Sequence, residues 1–182
     1  MYGLSLKLVG VVVGLLLIGG HVYALLREGA VRRWLTALPR SYKLGVAILS
    51  VDFVWVFLLM LNMDWGEFYN LRLPLLALLP VFFILTIRYV DEFLAVRALG
   101  IFTLLVATPI LEAAFLKPPA SRLLVVTLAY VYLVLGMFWI GMPHLLRDQI
   151  GWVLRSAMRW KAAVLGGIAY GVVVLFCALV WY

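Results

Sequence analysis

The chain has 182 residues, of which 67% are hydrophobic and 13% charged, and its formal net charge is +7. A water-soluble domain carries about 25% charged residues, so a chain with a mean hydropathy of +1.15 has too little polar material to cover a water-facing surface. The positive balance does not point to nucleic acid, because no soluble basic segment remains to present it; basic residues flanking apolar spans are the usual product of membrane topology and anionic lipid.

A helix crossing a hydrocarbon layer needs about 20 mostly apolar residues, and six segments read as such spans: residues 4–26, 43–63, 74–89, 93–116, 122–146 and 161–182. The expected fold is an all-α integral membrane protein, a single transmembrane domain built as a bundle of six helices with two short interfacial amphipathic helices. In the first span, Lys7, the apolar run Leu8–Ile18 and "VYA" at Val22–Ala24 loosely resemble a secretion signal. Arg27, Arg32 and Arg33 follow at once and resist translocation, which favours a retained span.

After it, Val31, Trp34, Leu35 and Leu38 recur at helical spacing with Arg32, Arg33 and Thr36 opposite, predicting a short helix in the headgroup layer, apolar side down. The second span carries Asp52 at its middle. "NMDWGEFYNLRLP" follows; Trp65, Phe68 and Tyr69 suit an interfacial belt, and Pro74 suits the first turn of the next helix. The third and fourth spans form one apolar stretch interrupted only by "RYVDEF". A single helix from Pro74 to Leu116 would run to about 64 Å, twice the hydrocarbon thickness of about 30 Å, so a tight hairpin around Asp91–Glu92 is expected in preference to five spans with a re-entrant piece.

The fourth span contains Arg97 near its start and Glu112 three residues past Pro109, and "KPPAS" then turns the chain. The fifth ends in "GMPHLLRD", with Pro143 read as a kink. Ile150, Val153, Leu154, Ala157 and Met158 predict a second amphipathic connector before the sixth span. Small residues four apart, Gly10 with Gly14 and Ala163 with Gly167 and Gly171, mark faces for close helix approach. The single cysteine, Cys177, reads as a small apolar helix residue.

With the loop after the first span in the cytoplasm, Arg27, Arg32, Arg33, Arg40, Lys43, Arg88, Arg97, Arg147, Arg155, Arg159 and Lys161 fall on that side. Only Lys7, Arg72, Lys117 and Arg122 fall on the other, eleven against four. The bias predicts that both termini lie outside the cytoplasm, in a plasma (inner) membrane of the bacterial type. "HVYALLRE" and "HLLRD" also echo one another, each followed by Gly-x-Val-x-Arg, which raises a parallel repeat of the first two and last two spans.

Charges within a bilayer are costly, so Asp52, Arg97 and Glu112 are the intramembrane polar candidates. Asp52 is read either as a buried ion pair with Arg97 or as a transport or proton-relay group; Glu112 either as a protonatable site or as a partner for backbone freed by Pro109. Arg88, Asp91, Glu92, Arg147 and Asp148 form a cytoplasmic-side cluster. No nucleotide, metalloprotease or serine-hydrolase motif is present, so no catalytic residue and no cofactor is assigned. The expected function is a small transporter-like bundle or an accessory subunit of a membrane complex, with anionic lipid and other membrane-protein subunits as partners. Two alternatives stand beside it: an electron-transfer subunit in which His21 and His144 ligate a b-type haem, and an intramembrane enzyme acting on lipid headgroups with Asp91 or Asp148 as base.

Overall fold

The computed structural model describes residues 2–90 and 92–182. Eight α-helices follow one another: α1 (Leu6–Leu26), α2 (Glu28–Ala37), α3 (Tyr42–Asn62), α4 (Arg72–Tyr89), α5 (Leu94–Ala114), α6 (Arg122–Gly141), α7 (His144–Leu154) and α8 (Ala157–Val180). Short 3-10 turns, Leu38–Arg40 and Gly66–Leu71, lead into α3 and α4. Among the described residues there is no strand. Counting the turn at Gly66 with α4, six helices among the described residues are long and apolar enough to cross a membrane.

Local chemistry sets the helix ends. Ser5 Oγ accepts from the Leu8 N–H at 3.2 Å and Ser41 Oγ from the Leu44 N–H at 3.4 Å, each satisfying a donor that the first helical turn leaves open. Two boundaries differ from the sequence expectation. The fifth long helix stops at Gly141 rather than running to residue 146, and Pro143 is the cap of a separate α7 instead of a kink. The cause is steric: Pro143 pushes Met142 out of the helical region, to φ −130° and ψ 71°. The amphipathic connector is therefore residues 144–154, and an extended Ser156 separates it from α8.

Inter-helix contacts define the directions. α1 and α8 run antiparallel: Gly10 lies against Ala178, Gly14 against Leu175, and Gly171 against Leu17 and Ile18. A Cβ on Gly171 would stand 2.9 Å from Leu17 Cβ, so small residues there let the helices touch. Ala163, expected on that face, is exposed. α5 and α6 meet antiparallel where Gly100 and Gly136 pack against each other's backbone carbonyl, a contact the sequence reading missed. α3 is parallel to α5, with Gly45 against Leu94 and Ala95 and the Trp55 ring edge-on to Phe102. α4 is antiparallel to α3, fixed by Tyr42 Oη donating to the Ile87 carbonyl at 3.0 Å and by the Phe53–Phe83 ring pair.

The long helices thus alternate, and the eleven basic residues named above gather at one end, the basic end. The chain reverses between α4 and α5 without glycine or proline by placing Phe93 in the left-handed region, φ 56°, a conformation costing a bulky residue roughly 1–2 kcal/mol. Phe93 is partly buried against the cluster of Leu38, Val96 and Leu146, which offsets that strain. Asp91, at the centre of the expected hairpin, lies outside the described residues.

The two amphipathic helices meet each other and α8 on part of their apolar faces. Val31 and Leu35 of α2 pack with Val153 and Leu154 of α7 around Trp160 and Val164 of α8. The α2 and α7 side chains of this cluster are partly buried, whereas Trp34, Trp152 and Met158 stay exposed. The two segments that follow the echoing motifs, α2 and α7, touch each other. The reciprocal packing a two-fold repeat requires is not seen: α1 pairs with α8, whereas α3 pairs with α5 and α4 rather than α6.

Candidate functional site: a buried carboxylate beside a cleft

Asp52 sits at the middle of α3 and is 2% exposed. Among the described residues neither carboxylate oxygen has a hydrogen-bond partner. A buried carboxyl group without a partner costs on the order of 1–3 kcal/mol or more, so a fold that keeps one demands an account. The side chain faces a cleft of about 190 Å³ between α3, α4 and α5. Leu49, Phe53 and Val56 line it from α3, and Ile101 from α5. α4 supplies Leu79, Phe82, Phe83 and Thr86.

The expected ion pair with Arg97 is not made: no N···O approach within 4.0 Å joins it to Asp52. The parallel register explains this. Gly45 against Leu94 and Ala95 sets α5 so that Asp52 is level with Ile101, the residue across the cleft. Arg97 is one turn nearer the basic end, roughly 6 Å along the axis. Its Nε is itself buried and unpartnered among the described residues. Two opposite charges expected to neutralise each other are therefore held apart.

The α4 wall of the cleft is the lightly held one. Among the described residues of α4 none is buried, and its main neighbour is α3. Pro80, inside α4 and next to Leu79, has no N–H to give the Leu76 carbonyl, which weakens the helix at the level of the cleft. By contrast α5 is the most buried helix and forms the other wall.

The remaining candidates lie outside the lining of this cleft. Glu112 Oε1 accepts from the Tyr2 N–H at 2.9 Å, and Tyr2 Oη accepts from Trp55 Nε1 at 2.9 Å. The carboxylate therefore anchors the N-terminal segment across α5 and α3. His21 Nδ1 is 2.7 Å from the Leu17 carbonyl, and its ring lies over Gly167, where any Cβ would overlap it. His144 begins α7 and is exposed. Arg147 bonds its neighbour Asp148 at 3.0 Å and lies over the Phe93 ring, while Arg88 and Glu92 are exposed. No group of three or more His, Cys, Asp or Glu side chains among the described residues is placed to hold a metal ion.

Sequence reasoning singled out Asp52 but missed the lining, above all Phe53, Phe82, Phe83 and Thr86. In an all-apolar helix a phenylalanine facing a cleft and one facing lipid read alike; the signal that was there was Pro80 ahead of a Phe-Phe pair. No protein-family model, no curated protein and no solved structure matches the chain, so the functional reading rests on this site alone.

Proposed function

We propose that the chain is an integral membrane protein working as a small transporter-like bundle, with the Asp52 cleft as its working site. The observation that carries the reading is the unpartnered buried carboxylate facing a cleft of about 190 Å³. An ionisable group at mid-span, without a hydrogen-bond partner among the described residues, is the usual mark of a solute or ion pathway. The lightly packed α4, interrupted at Pro80, supplies the wall that can move against the firmly packed α5.

The bilayer supplies what the fold leaves bare, including Leu16, Leu26 and Leu73, each at least 70% exposed. The eleven-to-four split of basic residues supports the basic end in the cytoplasm and both termini on the far side of a bacterial-type plasma membrane. Arg33, Arg40, Arg155 and Arg159, exposed around α2 and α7, suit anionic headgroups there.

Cysteine accessibility tests the transport reading without a known solute. Cys177 is buried and can be replaced by alanine to clear the background. In that protein Val56→Cys, in the cleft wall, is expected to react with a membrane-impermeant thiol reagent from either side of oriented vesicles. Protection from both sides would sink the proposal. The bare α4 favours a second reading, an accessory subunit whose larger partner covers that helix. Mild detergent extraction would then recover a stoichiometric partner, and a clean monomer in native mass spectrometry counts against it.

A further inference from the structure

We propose that the Asp52 cleft binds a small organic ammonium ion with an apolar body. The inference rests on the cleft being the working site described above and adds the chemical class of what enters it.

The lining decides between ligand classes. Among the described residues Asp52 offers two unpartnered acceptor oxygens in an otherwise apolar lining, where the one other polar side chain is Thr86. An anion would meet a carboxylate and nothing to bond it. A neutral apolar ligand would fill the space and leave the carboxyl group as costly as before. A bare metal cation has its charge matched but not its coordination: calcium takes 6–8 oxygen ligands and magnesium an octahedron, and one carboxylate with one hydroxyl falls far short of either. Zinc favours histidine and cysteine ligands, and the described residues of the cleft lining include neither.

An alkyl- or arylammonium ion satisfies each surface in turn. Its N–H groups donate to the two Asp52 oxygens, a charge-assisted contact in a mostly apolar lining. Its hydrocarbon part fits Leu49, Val56 and Ile101, and rings stand close by for its charge. Phe53 and Phe83 are paired at 4.6 Å between centroids, and Phe82 lies on the same wall. Phenyl faces attract a desolvated cation within about 6 Å of the ring centre. The volume limits the size: about 190 Å³ lies below the roughly 300–1,000 Å³ of pockets for drug-sized molecules, so one small ring or a short chain is the expected body. Arg97 does not line the cleft; it stands a turn nearer the basic end and so does not occupy the acceptors.

The test uses the full chain in detergent micelles with benzylammonium chloride as probe, its binding read by calorimetry. Benzyl alcohol serves as the uncharged isostere and sodium chloride as the inorganic cation. The wild type is expected to bind benzylammonium at least tenfold more tightly than benzyl alcohol, with no competition from equimolar sodium. Asp52→Asn should lose at least tenfold in affinity. Ile101→Trp, which fills the cleft while keeping the carboxylate, should lose binding too and decides the matter if the asparagine variant does not fold. Equal binding of the alcohol, unchanged binding by either variant, or displacement by sodium overturns the inference. It fails separately from the transport reading. Binding in a protein whose Val56→Cys site is closed from both sides upholds the ligand and removes transport; two-sided access without binding does the reverse.

Discussion

Replacing Asp52 by leucine should stabilise the protein. The substitution removes two buried oxygens that have no partner among the described residues and puts an aliphatic group of similar size among Leu49, Phe53 and Ile101. Relieving an unsatisfied buried polar group gains about 1–3 kcal/mol, and filling part of the cleft adds dispersion contacts. Had Asp52 formed the ion pair with Arg97, deleting one partner would cost about 3–5 kcal/mol by stranding the other charge. The two arrangements thus differ in sign, not only in size. Unfolding by increasing SDS fraction in mixed micelles measures the change, and thermal unfolding gives a second reading, with roughly 2–4 °C expected per kcal/mol for a chain of this size. A loss of more than about 1 kcal/mol in Asp52→Leu would refute the reasoning, because it would show the carboxylate to be held by partners. A gain in stability together with loss of ammonium binding is the expected outcome, the trade-off typical of a group kept for function.

Gly136→Ala should destabilise by about 1–3 kcal/mol, since its Cβ would lie 2.5 Å from Thr103 Oγ1 and 2.8 Å from the Gly100 carbonyl oxygen. Gly166→Ala, where a Cβ meets nothing within 4 Å, is the control and should be neutral or slightly stabilising in the same unfolding assay. Glu112→Ala removes the acceptor of the Tyr2 N–H. It should cost about 0.5–1.5 kcal/mol and raise hydrogen exchange in residues 2–5 while leaving the middle of α5 protected; unchanged exchange there would show that the N-terminal segment is held by other contacts.

Patterning alone specified six apolar helices, their order and the concentration of basic residues at one end, because length and hydropathy are local properties that a chain this poor in polar residues can satisfy only one way. Asp52 was legible for the same reason: one carboxylate in the run "SVDFVW" stands out wherever the helix packs. What surrounds it was not legible. Whether Asp52 meets Arg97 depends on the register of α3 against α5, set by Gly45 closing onto Leu94 and Ala95, and a shift of one turn decides it. The partners of α2 and α7 were equally hidden, since an amphipathic stripe announces that an apolar face will be covered without saying whether lipid or Trp160 covers it. Composition and periodicity determined the elements and the unusual residue; tertiary packing alone decided that the residue stands unpaired beside a cleft, because contact across helices is a matter of relative height and rotation, which no single segment encodes.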